Sequence, residues 1–259
     1  MLHMDVFITV YILFITAAFG AVFGSFINCM AWRIVHKENV LKGRSHCTSC
    51  GHELRMADMI PVFSYILLKG RCKYCKTKVS VRYMLTEIFL ALVFVSVVLK
   101  YDISILTLRY LVLACILLGL SLVDLDSYEI PNGFITAGIF WWLVTLPFLE
   151  ESITKQLVTG LIGGTAIGGG ILLLSLMMDK VLKKESMGGG DIKLFFMLGL
   201  YMGPALSLLN LIISCFVGLI LVVLLRKNKI PFGPAIAGAS WVTLLFGTDI
   251  VSWYLGLFV

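Results

Sequence analysis

The chain has 259 residues, 59% of them hydrophobic and only 14% charged, with a formal net charge of +6 and a mean hydropathy of +0.99. Those values exclude an ordinary soluble domain, and apolar stretches long enough to cross a bilayer recur along most of the sequence. The positive charge is local: between Arg33 and Arg82 eleven Lys/Arg face three Asp/Glu, an excess of +8, whereas the other ten cations meet twelve acids. Flanking spans account for that basic loop as a cytoplasmic one under the positive-inside rule, with no nucleic-acid partner required.

In chain order, the pattern predicts membrane spans at about 6–30, 84–99, 105–123, 133–149, 157–178, 192–202, 205–225 and 232–256. The fold expected is all-α, a polytopic membrane protein of about eight helices. It divides into a first transmembrane helix (1–32), a small zinc-ribbon-like cytoplasmic loop domain (33–83) and a multi-pass membrane domain (84–259). The first stretch, from Val6 to Met30, lacks a basic n-region and a small-residue cleavage site, so it reads as a retained span. With an outside start, loops 31–83, 124–132, 179–191 and 226–231 face the cytoplasm. They hold Lys180, Lys183, Lys184, Arg226, Lys227 and Lys229, as the orientation requires. Small-xxx-small pairs at Gly20/Gly24, Gly160/Gly164, Gly164/Gly168 and Gly199/Gly203 predict close helix packing. Gly168-Gly169-Gly170 lies inside an apolar span with no preceding strand and is not a nucleotide loop.

Two C-x2-C knuckles, Cys47-Thr48-Ser49-Cys50 and Cys72-Lys73-Tyr74-Cys75, are separated by 21 residues of the basic loop. That is close to zinc-ribbon spacing: each knuckle turns two thiolates toward one cation, and four complete a closed, structural tetrahedron. Disulfides are disfavoured in a reducing cytoplasmic loop. His46 and His52 flank the first knuckle as alternative ligands.

Asp124 ends the third span and Asp191 opens the sixth, so both fall at the same membrane face. Ionisable groups in such places are functional candidates, and two of them on different segments suggest a pair. Held together, they share a proton, one taking a proton from water while the other polarises a scissile carbonyl, the aspartic-protease arrangement. Asp126 and Glu129 compete with Asp124 but run on toward a turn where solvated positions suit them. Asp58, Asp179 and Glu87 read as surface or interface charges. From Ile192 to the Gly203-Pro204 break there are only about eleven residues, roughly 17 Å of helix against a core of ~30 Å. The stretch is therefore either re-entrant or recessed, with Gly188 to Gly190 lining a wet pocket.

Taken together, these motifs resemble the type IV prepilin peptidases, leader peptidase/N-methyltransferases of the G-x-G-D aspartic type. The resemblance rests on Gly24-Ser25-Phe26-Ile27-Asn28, both cysteine knuckles, Ile60-Pro61-Val62-Phe63-Ser64-Tyr65, Gly70-Arg71-Cys72 and Ser80-Val81-Arg82-Tyr83. It continues through Val123-Asp124-Leu125-Asp126 to Ile130-Pro131, Gly188-Gly189-Gly190-Asp191-Ile192-Lys193, and Ile230-Pro231-Phe232-Gly233-Pro234. It implies a bacterial inner-membrane enzyme that cleaves basic leaders from prepilin or pseudopilin precursors at the cytoplasmic face. It further implies N-methylation of the new terminus with S-adenosylmethionine. Asp124 and Asp191 carry over as the catalytic pair, Cys47, Cys50, Cys72 and Cys75 as zinc ligands, and Gly188, Gly190 and Lys193 as the supporting motif. Asn132 stands where the family often has Asp, and Ser186 where glycine is common; no sequence fingerprint marks a methyl-donor site. Presenilin-like proteases share G-x-G-D but lack the cysteine box. The competing readings are a proton-coupled transporter with an aspartate relay, a scaffold subunit of a secretion machine, and a peptidase that only cleaves.

Overall fold

The computed structural model describes residues 6–40, 43–183, 187–225 and 230–257. Lys184, Ser186, Arg226, Lys227 and Lys229, singled out above, lie outside them. The chain divides into two compact units, residues 1–107 and 108–259.

In the first unit, α1 (Val6–Val35) and α3 (Val81–Tyr101) are the membrane helices. A Cβ at Gly20 would come within 2.7 Å of the Ala91 Cα, and one at Gly24 within 2.9 Å of the Glu87 Cα. Glycine at these two positions is what lets the backbones touch, and close backbone approach is the source of packing energy between helices in lipid. Phe23 and Phe94 extend the seam, with ring centroids 6.1 Å apart. Arg33, buried in the last turn of α1, donates to the carbonyls of Asn39, Val40 and Gly43 and fixes the chain's exit into the cysteine loop. The loop contains a 3-10 turn (Met56–Met59) and the short α2 (Phe63–Leu67), and it ends where Ser80 caps α3 by accepting the Arg82 N–H.

In the second unit α4 (Ile105–Ser127), which begins just before the boundary, is followed by α5 (Asn132–Thr145) and a 3-10 turn at Leu146–Phe148. Next, α6 (Ile153–Gly164) runs through a π-helical turn (Thr165–Gly169) into α7 (Gly170–Leu182), one continuous membrane stretch. The long α8 (Gly189–Leu225) and α9 (Gly233–Leu255) complete the unit. Its organiser is the first half of α8. A Cβ at Gly199 would lie 2.5 Å from the Gly164 Cα, and one at Gly163 2.5 Å from the Gly199 carbonyl oxygen. Tyr201 donates to the Gly138 carbonyl of α5 at 2.7 Å, and the Arg109 guanidinium of α4 lies over the Tyr201 ring, 5.0 Å from its centroid.

The span count differs from expectation in an instructive way. Among the described residues six helices are long and apolar enough to cross a membrane, and Asn132–Phe148 is apolar but shorter. The stretches expected as separate spans at 192–202 and 205–225 are consecutive parts of α8, broken at Gly203, whose φ of 70° and ψ of −179° are non-helical. Pro204, lacking an N–H, cannot continue the ladder to the Leu200 carbonyl, and just beyond the break the Ser207 hydroxyl donates to the Gly203 carbonyl. Counting the short helix and both parts of α8 recovers the eight expected segments; length alone gives six.

Candidate active site

Asp124 sits in the last turn of α4, 4% exposed, whereas Asp126 and Glu129 are exposed. Its Oδ2 accepts the Gly233 N–H at 2.8 Å, at the start of α9. That amide is one of the unpaired donors of a helix N-terminus, and Pro234, with no N–H of its own, follows at a position proline favours. A Cβ on Gly233 would fall 2.7 Å from the same oxygen, so the residue must be glycine for the carboxylate to sit there.

Asp191 lies half-buried in the first turn of α8. Its N–H donates to the Gly188 carbonyl at 3.1 Å, and a Cβ at Gly188 would stand 3.1 Å from Asp191 Oδ2. A Cβ at Gly190 would come 3.0 Å from the Ile130 Cβ, so glycine there allows the start of α8 to rest on the segment that follows α4. The result brings the two aspartates within electrostatic reach of each other. Lys193 Nζ donates to Asn132 Oδ1 at 3.0 Å, tying the start of α8 to the start of α5. Asn132, set apart from the aspartate pair in the sequence, is thus linked to the helix turn that carries Asp191.

The four knuckle sulfurs all lie within 4.8 Å of one another, with Cys47 and Cys75 Sγ 3.8 Å apart. A tetrahedral zinc with bonds of about 2.3 Å places its sulfurs about 3.8 Å apart, so the cluster fits that ion. All four thiols are free, and neither His46 nor His52 joins the cluster: His46 meets Trp32 edge-on, and His52 packs on Tyr74. The knuckles are structural copies. His46 bridges Glu53 as Arg71 bridges Lys78, each pair at the same offsets from its first cysteine. The residue after each second cysteine, Gly51 or Lys76, has positive φ, 69° and 60°. The amides of Cys50 and Ser49 hold the Cys47 thiol below its ordinary value, and the Thr77 hydroxyl and amide bring Cys75 down to about 6. The His52 amide acts the same way on Cys50, but desolvation and the crowding sulfurs of Cys47 and Cys75 push that thiol up to about 11. A central dication would reconcile four clustered sulfurs, since a coordinating thiol is deprotonated outright.

Glu87, read from the sequence as a surface or interface charge, lies at a packed interface within the first unit. It is 7% exposed, accepts the Val62 N–H at 2.7 Å and the Ser25 hydroxyl, and no cation pairs with it among the described residues. The signal in the sequence is an acid in the second turn of α3, inside the expected span.

A membrane unit with a buried aspartate at the end of one helix and a half-buried one at the start of a glycine-entered helix defines a polytopic membrane protein with carboxylates at helix ends. Residues 18–101 match the bacterial peptidase A24 N-terminal domain and residues 111–223 the type IV leader peptidase family, a division that falls close to that between the two units. The chain is 35% identical to a prepilin leader peptidase/N-methyltransferase of Aeromonas hydrophila, over 85% of this chain and 78% of the relative. It is 35% identical to a type 4 prepilin-like proteins leader peptide-processing enzyme of Escherichia coli O78:H11, over 87% and 90%. Identity is 32% to a prepilin leader peptidase/N-methyltransferase of Bacillus subtilis, over 92% and 95%. No solved structure matches. The chain belongs to the type IV leader peptidase family and is a membrane-embedded peptidase.

Proposed function

We propose that the chain removes the basic leader from type IV prepilin or pseudopilin precursors at the cytoplasmic face of the bacterial inner membrane, with Asp124 and Asp191 as the catalytic pair, and N-methylates the residue it exposes. What supports this reading is that Asp124 of α4 and Asp191 of α8 lie within electrostatic reach of each other. Two carboxyls brought together around a substrate share a proton. The ionised member takes a proton from the attacking water, and the protonated member donates to the scissile carbonyl oxygen and later to the leaving amine. The Gly233 N–H, donated to Asp124 Oδ2, orients that carboxyl and leaves its other oxygen for water. The prepilin and methyltransferase parts draw on the relatives' names, and the cytoplasmic orientation on the charge of the loops.

Cys47, Cys50, Cys72 and Cys75 would hold zinc, which joins two remote parts of the loop and leaves no open coordination position for substrate. When bound, S-adenosylmethionine supplies an electrophilic methyl group: the terminal nitrogen–carbon bond forms as the sulfur–carbon bond breaks, and the amine gives up a proton.

The test is incubation of membranes carrying this chain with a prepilin precursor, with and without S-adenosylmethionine, followed by mass spectrometry of the product. A shortened product, heavier by one methyl when the donor is present, is expected. An uncut precursor overturns the proposal, and a shortened, unmethylated product overturns its second half.

A further inference from the structure

The first unit contains a cavity of about 480 Å³, lined by the end of α1, the start of α3 and the cysteine loop, and Glu87 opens into it. That volume lies in the range of sites for small organic ligands. Burial of an ionised carboxylate is costly without compensation, yet Glu87 receives only two neutral hydrogen bonds, from Val62 and Ser25. Val62 itself is held at φ 63° and ψ −51°, a region that a β-branched residue avoids. The carboxylate and the Ile60-Pro61-Val62 turn are thus fixed in place at a cost the fold alone does not explain. Such outliers gather at ligand sites.

The rest of the lining indicates the ligand's chemistry. Trp32, Tyr65 and Tyr83 contribute aromatic surface, and Arg71 and Lys78, both exposed, contribute cations. A ligand complementary to these walls carries a positive charge for Glu87, a flat ring for the aromatics and an anionic group for Arg71 or Lys78. An anionic lipid headgroup meets the wrong sign at Glu87. S-Adenosylmethionine has all three features: a sulfonium beside an ammonium, an adenine and a carboxylate.

We propose that this cavity is the methyl-donor site, with the Glu87 carboxylate facing the donor's cationic centre; the inference rests on the methyltransferase reading above. It has a built-in consequence. Once the methyl group leaves, the sulfur is a neutral thioether, so Glu87 favours the donor over its spent product.

The test is equilibrium binding to the detergent-solubilised, zinc-loaded full chain. Ligands are S-adenosylmethionine, sinefungin (an amine in place of the sulfonium) and S-adenosylhomocysteine. The wild type should bind the first two more tightly than the third. Glu87→Gln should weaken the first two by roughly ten- to a hundredfold, as for loss of a charge-assisted contact, and largely erase the preference. Because Glu87 also holds Val62, the wild type is in addition photolabelled with radiolabelled S-adenosylmethionine and its peptides mapped. Label within residues 25–87 supports the site. Label confined to residues 108–259, or an E87Q chain that keeps both affinity and preference, overturns it while leaving the methyltransferase reading intact. A wild type that cuts precursor but neither binds nor uses the donor overturns that reading, and this site with it.

Discussion

Asp124 and Gly233 meet through a 2.8 Å hydrogen bond, and the space a Cβ would need at Gly233 is already filled by the same carboxylate oxygen. Substitution of Gly233 by Ala therefore moves the carboxyl rather than the helix. A displacement of this kind at a reacting group costs up to about a hundredfold in rate. We expect Gly233→Ala to slow leader cleavage by roughly ten- to a hundredfold. Single-turnover cleavage in detergent, with thermal unfolding measured alongside, checks this; unchanged cleavage would show that the contact does not set the position of Asp124.

Asp124→Asn and Asp191→Asn keep the side-chain shape but remove the exchangeable acid/base function. Each should lower cleavage by roughly 10²- to 10⁴-fold, the usual worth of a positioned proton-transfer group. The double substitution should cost little more than either single one, because the carboxyls act as a unit. Additive losses would argue for independent roles.

Zinc should be bound at about one ion per chain, as a closed four-thiolate site requires. Chelation, or Cys75→Ser, should raise hydrogen exchange across residues 45–79. The backbone of Gly189 to Met202, in the other unit, reports whether the loss stays local. Metal analysis after size exclusion gives the stoichiometry, and a chain without zinc whose loop exchange equals that of the wild type would remove the structural role.

Glycine at 199 is a matter of space. A Cβ there reaches 2.5 Å from the Gly164 Cα, a backbone atom that cannot step aside, so Gly199→Val should destabilise the second unit by about 1–3 kcal/mol. Gly238, on α9, has nothing within 4 Å of its would-be Cβ, and Gly238→Ala should be neutral or slightly stabilising. Thermal or denaturant unfolding in one detergent compares the two.

Much of this architecture was legible in the sequence because its determinants are local. Gly203-Pro204 announces a break by covalent geometry alone, and the break is there. The expectation that Asp126 and Glu129 would be solvated followed from the edge of one apolar run, and their exposures agree. The cysteine spacing specified a cluster without any knowledge of the intervening turns. Non-local relationships stayed hidden. Glu87 is buried because α1 presents Gly24 to it and the loop brings Val62 back over it, and neither fact is written near residue 87. Asn132 accepts from Lys193 of a remote helix, and nothing near residue 132 announces that tie. The number of spans depends on the criterion, since a short helix and a broken one both escape a rule based on bilayer thickness.

The twin knuckles have a consequence for biogenesis. Each knuckle has the same bridge and the same left-handed residue after its second cysteine, and draws its backbone hydrogen bonds from its own residues. During synthesis the Cys47–Cys50 turn emerges first and offers two sulfurs to an incoming ion before Cys72 exists. An ion captured there would be closed in, as by a clasp, only when the second turn arrives.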